Sequence, residues 1–419
     1  MSDTLAAPQV LRNDFDVEAV RAQFPGLQQE VNGRPLVYLD TAASAQKPQR
    51  VIDRLAAFYA HDYANIHRGV YDLSQRASDA HDAARETVRR FLNAAEAKSC
   101  IFVRNGTEAM NLVAESFVAD RLGPGDAVLI TGMEHHANVV PWLRLRERKG
   151  IALKVAPLTD DGALDLDAFT ALLNEPDTKF VGVSWVSNAL GTVNPVKEIV
   201  RRAHERGVPV MVDACQAAQH IAIDVQDLDC DFLAFSGHKV YGPSGVGVLY
   251  GKIAHLEAMP PYQTGGDMIL SVSYDEVVWN ELPYKFEAGT PDIAGAVGLG
   301  EAIDFLTELG IEDVARHEAE VMAYALERLA EVPGLHMVGN APERCSVLSF
   351  VVDGAHPHDI GTLLDLDGIA IRAGFHCAQP TIEAMGHPGT VRASIGLYTT
   401  KGDIDRLVDS LKRVAAMFA

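Results

Sequence analysis

No stretch of about 18 consecutive apolar residues occurs in the 419-residue sequence, which excludes a helix built to cross a bilayer. The opening segment, MSDTLAAPQVLRNDFDVEAV, sets acids among its apolar positions and has no basic region followed by a hydrophobic one, so the expected location is the cytoplasm. Basic residues are in the minority, 36 Lys and Arg against 57 Asp and Glu, for a formal net charge of -21. That balance repels nucleic-acid phosphates and anionic membranes, and no basic run offsets it, so neither is expected as a partner. Its plain consequence is solubility; recruitment of a basic partner is the other reading. Cysteine is scarce: five residues, Cys100, Cys215, Cys230, Cys345 and Cys377, with no C-x-x-C pair, which argues against a zinc site or a dithiol switch. No metal is expected, and for any one of these thiols taken alone an inert core residue is the default. Repeats and low-complexity tracts are also missing, which excludes a solenoid.

What the sequence does contain is enough apolar material, 48% of its residues, for a full core divided between two lobes. Short β-rich runs recur: SCIFVR, AVLIT, IALKVAPL, KFVGVSWV, VPVMVD, CDFLAFS and GVGVLY. Amphipathic stretches such as TEAMNLVAESFVADRL and VKEIVRRAHERG separate several of them, giving the β-α-β rhythm of a mostly parallel sheet covered by helices. The expected organisation is an N-terminal arm over 1–30 packing with the small domain, a large domain over 31–295 and a smaller α+β domain over 296–419. The last begins with two long helices, GAVGLGEAIDFLTELG and IEDVARHEAEVMAYALERLAEV, followed by strands at SVLSFVV, IAIRA and TVRASI.

Several segments place reactive side chains where such a sheet presents its ligands. In AFSGHKVYGPSGVGVLY, Lys239 follows an apolar strand, flanked by Ser236, Gly237 and His238. A lysine there is by itself usually a surface charge; the alternative is a Schiff-base nucleophile. VPVMVDACQAAQH puts Asp213 at the carboxyl end of a strand, where it either faces a ligand crevice or caps the next helix. FVRNGTEAMNLVA breaks at Gly106 and opens a helix, with Asn105 and Glu108 spaced as a capping box; its free N–H groups and the Thr107 hydroxyl suit a phosphate, although a capped helix without ligand is the commoner case. TGMEHHANVVPW offers His135 and His136 for ring stacking or proton transfer, against the reading of ordinary loop histidines. Cys377, in RAGFHCAQP, sits on a short loop between Gly374 and Pro380 that would be hard to bury, with His376 and Arg372 near enough to favour its thiolate. Arg392 of TVRASIGLY reads by itself as a surface ion pair.

Nine segments in order, YLDTAASAQKP, NIHRGVYDLS, RNGTEAMNLVA, EHHANVVPW, SNALGTVNP, VDACQAAQH, FSGHKVYGPSGVGVLY, FEAGTP and RAGFHCAQP, resemble the SufS-type cysteine desulfurases of the class V aminotransferase family, over nearly the whole chain. The resemblance implies a fold-type I pyridoxal-phosphate transferase with a mostly parallel seven-stranded sheet in the large domain. It implies that Lys239 holds pyridoxal 5'-phosphate covalently, that Asp213 pairs with the ring nitrogen, that Gln216 bonds the ring oxygen and that His135 stacks on the ring. Gly106, Thr107, Ser236 and His238 would hold the phosphate, with Thr290 of FEAGTP reaching in from a second subunit, hence a homodimer. Asn188, Arg392, Arg372 and Ala43 fall on the substrate side, and Cys377 would take sulfur from L-cysteine. The persulfide would pass to a SufE- or SufU-like acceptor for iron–sulfur cluster assembly. One position departs from the pattern: Phe375 stands where the family usually has a histidine, which bears on proton delivery near Cys377, partner recognition and preference for sulfur or selenium. The rival activities are a selenocysteine lyase acting on L-selenocysteine and another class V enzyme such as an epimerase or transaminase; a non-catalytic scaffold is the rival of a different class.

Overall fold

The computed structural model describes residues 15–418; residues 1–14 of the expected N-terminal arm lie outside the described residues. All seven β-rich runs form strands: β1 (Cys100–Val103), β2 (Ala127–Thr131), β3 (Ala152–Ala156), β4 (Thr178–Ser184), β5 (Val210–Asp213), β6 (Phe232–Ser236) and β7 (Gly247–Gly251). They make one sheet in the order β1-β7-β6-β5-β4-β2-β3. Only β7 runs against the rest, antiparallel to both β1 and β6. Strands β1, β2, β5, β6 and β7 are buried along their whole length, because two apolar clusters cover the two faces of the sheet. Burial on both faces is why these segments read as continuous apolar runs instead of alternating ones.

Helix α1 (Asp72–Phe91) and helix α2 (Gly106–Val113) pack in the large lobe. The start of α2 differs from a full capping box. The Asn105 side chain accepts the Glu108 N–H at 3.0 Å as expected. Glu108, however, accepts the N–H of Arg104 at 2.6 Å instead of that of Asn105, one residue beyond the reciprocal partner. Helix α3 (Ile293–Leu309) spans the 295/296 division and packs along α1, with Ala296, Leu299 and Ile303 in the large-lobe core.

Beyond it, helix α4 (Ile311–Leu329), helix α5 (Pro357–Leu366) and helix α6 (Lys401–Phe418) cover a four-stranded antiparallel sheet. That sheet contains β8 (Leu335–Met337), β9 (Val347–Val352), β10 (Arg372–Gly374) and β11 (Thr390–Ser394), in the order β8-β9-β11-β10. The start of the described chain is tied to this lobe. Arg21 pairs with Asp403 at 2.8 Å, Phe24 is buried against Tyr398, and Val37–Tyr38 runs parallel to Ile369–Ala370. Among the described residues no helix is long and apolar enough to cross a membrane.

Candidate active site

The carboxyl ends of β1, β2, β4, β5 and β6 open on one edge of the sheet, where α/β folds place ligands. A cavity of about 490 Å³ lies there, closed on its far side by the small lobe. Asp213 ends β5 and is buried. Its Oδ1 accepts the Cys215 N–H at 2.9 Å in a turn with no helix for it to cap, so of its two readings the crevice one holds: it lines the cavity. Gln216 lies one turn further, its Nε2 donating to the Ala42 carbonyl at 2.6 Å, beside Ala43. Ser236 ends β6, and its hydroxyl accepts the Gly106 N–H at 2.9 Å. The first turn of α2 thus meets the β6 end closely: a Cβ on Gly106 would lie 2.5 Å from the Cys215 sulfur, so any larger residue would have to displace that side chain. Thr107 lines the cavity at the open end of the helix.

Lys239 and His238 follow Ser236 on a short turn and are half-buried. Burial, with Lys239 and Lys47 nearby, pulls His238 down to about 4. His135, after β2, is likewise pulled down to about 4 by burial and then by Lys239, so its ring is neutral at neutral pH. The His135 Nδ1 accepts the Ala137 N–H at 3.0 Å, which leaves Nε2 as the protonated nitrogen.

The small lobe supplies the opposite wall. Arg392, in the middle of β11, is buried; its Nη1 donates to the Asn188 carbonyl at 2.9 Å and its Nη2 to Asp40 at 3.2 Å. Burial lowers it to about 10, still charged at neutral pH. Arg372, on β10, is exposed and forks onto the same Asp40 at 3.1 and 2.9 Å, which raises it. Asp40 is the residue missed from sequence: one carboxylate sets the orientation of both arginines. Its signal was present, an aspartate in YLDTAASAQKP, but nothing in the chain announces partners 332 and 352 positions away.

Cys377 is exposed and lines the cavity. Its expected neighbour His376 does not serve as a cation. The ring is buried with Nε2 on the Thr390 hydroxyl at 2.8 Å, and burial followed by the charge of Arg392 and Arg372 lowers it to about 3. The cations near Cys377 are Arg372 and Arg392. The second thiol in the cavity, Cys215, contrasts with it: burial and Asp213 push its pKa far up, so it stays a protonated thiol. Phe375 packs half-buried on an apolar cluster that includes Ala189, Leu190 and Ile382.

Thirteen of the fourteen site residues expected from sequence therefore line one cavity. Thr290 does not; it lines a separate hollow with Arg104, Glu108 and Gln263. Among the described residues no cluster of His, Cys, Asp or Glu is arranged to hold a metal.

A half-buried lysine beside a buried aspartate, a glycine-opened helix start and, opposite, a buried guanidinium define a pyridoxal-phosphate enzyme that acts on an amino acid. The residues fit that cofactor. Lys239, Asp213 and the Gly106–Thr107 helix start offer one cavity an amine, a carboxylate and N–H groups for its aldehyde, ring nitrogen and phosphate, and the Asn188 Oδ1 and Arg392 Nε, buried without a hydrogen-bond partner among the described residues, are left for the bound amino acid.

The profile of the family described as aminotransferase class-V matches residues 37–407, and the chain belongs to this family. It is 51% identical over 401 residues to a cysteine desulfurase of Pectobacterium atrosepticum, across 96% of this chain and 98% of that one. Its fold superposes with a TM-score of 0.89 on the crystal structure of the cysteine desulfurase CsdA (S-sulfonic acid) from Escherichia coli, at 40% identity, covering 97% of this chain and all of the other (100%). The apo structure of a cysteine desulfurase from Thermococcus onnurineus NA1 gives a TM-score of 0.91 at 34% identity, covering 99% of this chain and 100% of that one. The cofactor is pyridoxal 5'-phosphate.

Proposed function

We infer that this chain is a cysteine desulfurase, converting L-cysteine to L-alanine and keeping the sulfur as a persulfide on Cys377. The observation that carries the reading is that Lys239, Asp213, Arg392 and Cys377 line one cavity.

Pyridoxal phosphate, when bound, supplies an electron sink for the α-carbon of an amino acid. Lys239 would hold it covalently, Asp213 would face its ring nitrogen, His135 its ring face and Gln216 its ring oxygen. The α2 start at Gly106 and Thr107, with Ser236 and His238, would take its phosphate. Arg392, with Asn188, binds the substrate carboxylate, a task for a planar fork that stays charged, and Arg372 and Ala43 complete that end. The Lys239 amine moves the α-proton. The Cys377 sulfur attacks the substrate sulfur: a sulfur–sulfur bond forms, the carbon–sulfur bond breaks, and its electron pair stays with the β-carbon. A proton added there, and the α-proton returned by the Lys239 amine, complete alanine, so one sulfur atom is transferred without any added oxidant or reductant.

The finer reading is that of a SufS-type enzyme: a cytoplasmic homodimer in which Thr290 reaches the partner subunit's phosphate site. Its persulfide passes to a SufE- or SufU-like acceptor for iron–sulfur cluster assembly. Thr290 lying in a hollow of its own, away from the cavity, supports the cross-subunit role. A division into arm 1–30, large domain 31–295 and small domain 296–419 is kept, with α3 as the helix that joins the lobes. Mass spectrometry of the holoenzyme incubated with L-cysteine tests the reading. The expected result is one extra sulfur on the Cys377 peptide with an equivalent of alanine, and neither from Cys377→Ala. Alanine formed at full rate by Cys377→Ala, with no sulfur on the protein, would instead assign a lyase of the selenocysteine type.

A further inference from the structure

Cys377 is held in an unfavourable backbone shape. It and His376 are consecutive non-glycine residues in the left-handed region, with φ of 56° and 53°. L side chains disfavour that region, so the loop keeps its form only where its surroundings dictate it.

The dictating contacts come chiefly from His136, which follows β2 in the large lobe. Its backbone N–H donates to the Cys377 carbonyl at 2.7 Å. Its ring Nε2 accepts the Gln379 N–H at 3.1 Å. An N–H can be accepted only by a nitrogen with a free lone pair, so in this contact Nε2 is the ring nitrogen that carries no proton. These two bonds bracket Ala378 and grip both sides of the turn that carries the thiol. From the other flank the Asn188 Nδ2 donates to the His376 carbonyl. The His136 ring makes none of the hydrogen bonds that fix Asp213, Gln216 and Ser236 on the cofactor side: Asp213 accepts from Cys215, Ser236 accepts from Gly106, and Gln216 donates to Ala42.

Resting on the desulfurase reading, we propose that His136 is a positioning residue for sulfur transfer: its ring clasps the cysteine loop across the lobe interface and sets the direction in which the Cys377 sulfur projects. It touches neither substrate nor cofactor in this role and acts through Cys377.

The test compares His136→Phe, which keeps a flat ring but loses the acceptor, with His136→Gln, which restores a neutral acceptor. Both leave the backbone clasp in place. In the holoenzyme mixed rapidly with L-cysteine, the visible absorbance change that reports substrate capture is expected at wild-type rate in both variants. Appearance of sulfur on Cys377 is expected about tenfold slower in His136→Phe and within about threefold of wild type in His136→Gln, the scale of one hydrogen bond lost and regained. Hydrogen exchange at the Gln379 amide should rise by about the same tenfold factor in His136→Phe alone. Wild-type sulfur transfer by His136→Phe, unchanged Gln379 exchange, or loss of capture together with transfer in both variants would each overturn the proposal. Absence of sulfur on Cys377 in the wild-type enzyme would instead overturn the desulfurase reading itself.

Discussion

The two walls of the cavity are built on opposite principles. On the large-lobe wall, Asp213, Gln216 and Ser236 are buried and follow or end strands hydrogen-bonded on both sides. On the small-lobe wall, the working atom is exposed, on a loop held in left-handed geometry by contacts from the other lobe. The difference follows from what each wall must do. A cofactor kept for many turnovers needs side chains fixed by rigid elements. A sulfur that enters from one molecule and leaves to another needs an atom reachable from both the cavity and the outside.

Lys239→Ala attacks the first wall at its centre and separates the two most sharply. The variant should show no visible absorbance of a lysine-bound cofactor and lose activity by at least on the order of 1,000-fold, while Cys377 alkylates at its wild-type rate. A change in that alkylation rate would break the separation of the walls.

Arg392→Lys probes the second wall. Losing the fork and one charge-assisted hydrogen bond should raise the KM for cysteine about 10- to 100-fold with kcat within a few-fold of wild type, read from steady-state alanine release. A drop in kcat at unchanged KM would mean that Arg392 serves the transfer step and not the substrate carboxylate.

The smallest effect concerns stability. His81, on α1 and edge-on to Phe102 of β1, is fully buried, its two ring nitrogens unpartnered among the described residues, and burial with Arg85 nearby lowers it to about 3 from 6.5. Because its folded value is depressed, the unfolded chain takes up the proton first. Its contribution is whole above 6.5 and is lost as pH falls from there toward 3. Between pH 7 and pH 5 that loss is about 2 kcal/mol, and His81→Leu should remove it, as seen in denaturant unfolding at the two pH values. Glu134, raised to about 6 by burial, works in the opposite sense, gaining stability as pH falls through that value, so the wild-type minus variant difference is the quantity to read. His376 on the other wall is lowered to a similar value, and His135 and His238 to about 4, so an identical pH profile after His81→Leu would place the acid sensitivity in these three histidines.

Much of this was legible in the chain because the relevant signals are local. Each sheet strand is a short apolar run, and Asp213, Ser236 and Lys239 stand at or just past strand ends. What was not legible depends on distance. Asp40 acquires its meaning only when β10 and β11 bring two arginines to it. His376 reads as a partner of Cys377 by adjacency, yet consecutive side chains on this loop diverge, and its ring turns inward to Thr390. The exposed hairpin Ile269–Val272 with Val277–Trp279 gave no sequence expectation at all, since its apolar residues face outward and form no core pattern. His81 was hidden in a helix whose composition is mostly polar.

The antiparallel course of β7 has one more effect. The segment from 237 to 246 leaves β6 and returns at once to the same sheet, with Gly247 opposite Ser236 and the Gly237 N–H on the Val246 carbonyl at 2.9 Å. The His238 carbonyl is seized as well, by the Ala45 N–H at 3.0 Å and the Lys47 ammonium at 2.9 Å. Lys239 therefore swings from a root that cannot wander. A well-oriented tethered group behaves as if present at up to about 10⁵ M or more, beyond any dissolved competitor. Amine buffers should accordingly fail to displace it, so the same lysine is ready again at the end of every cycle.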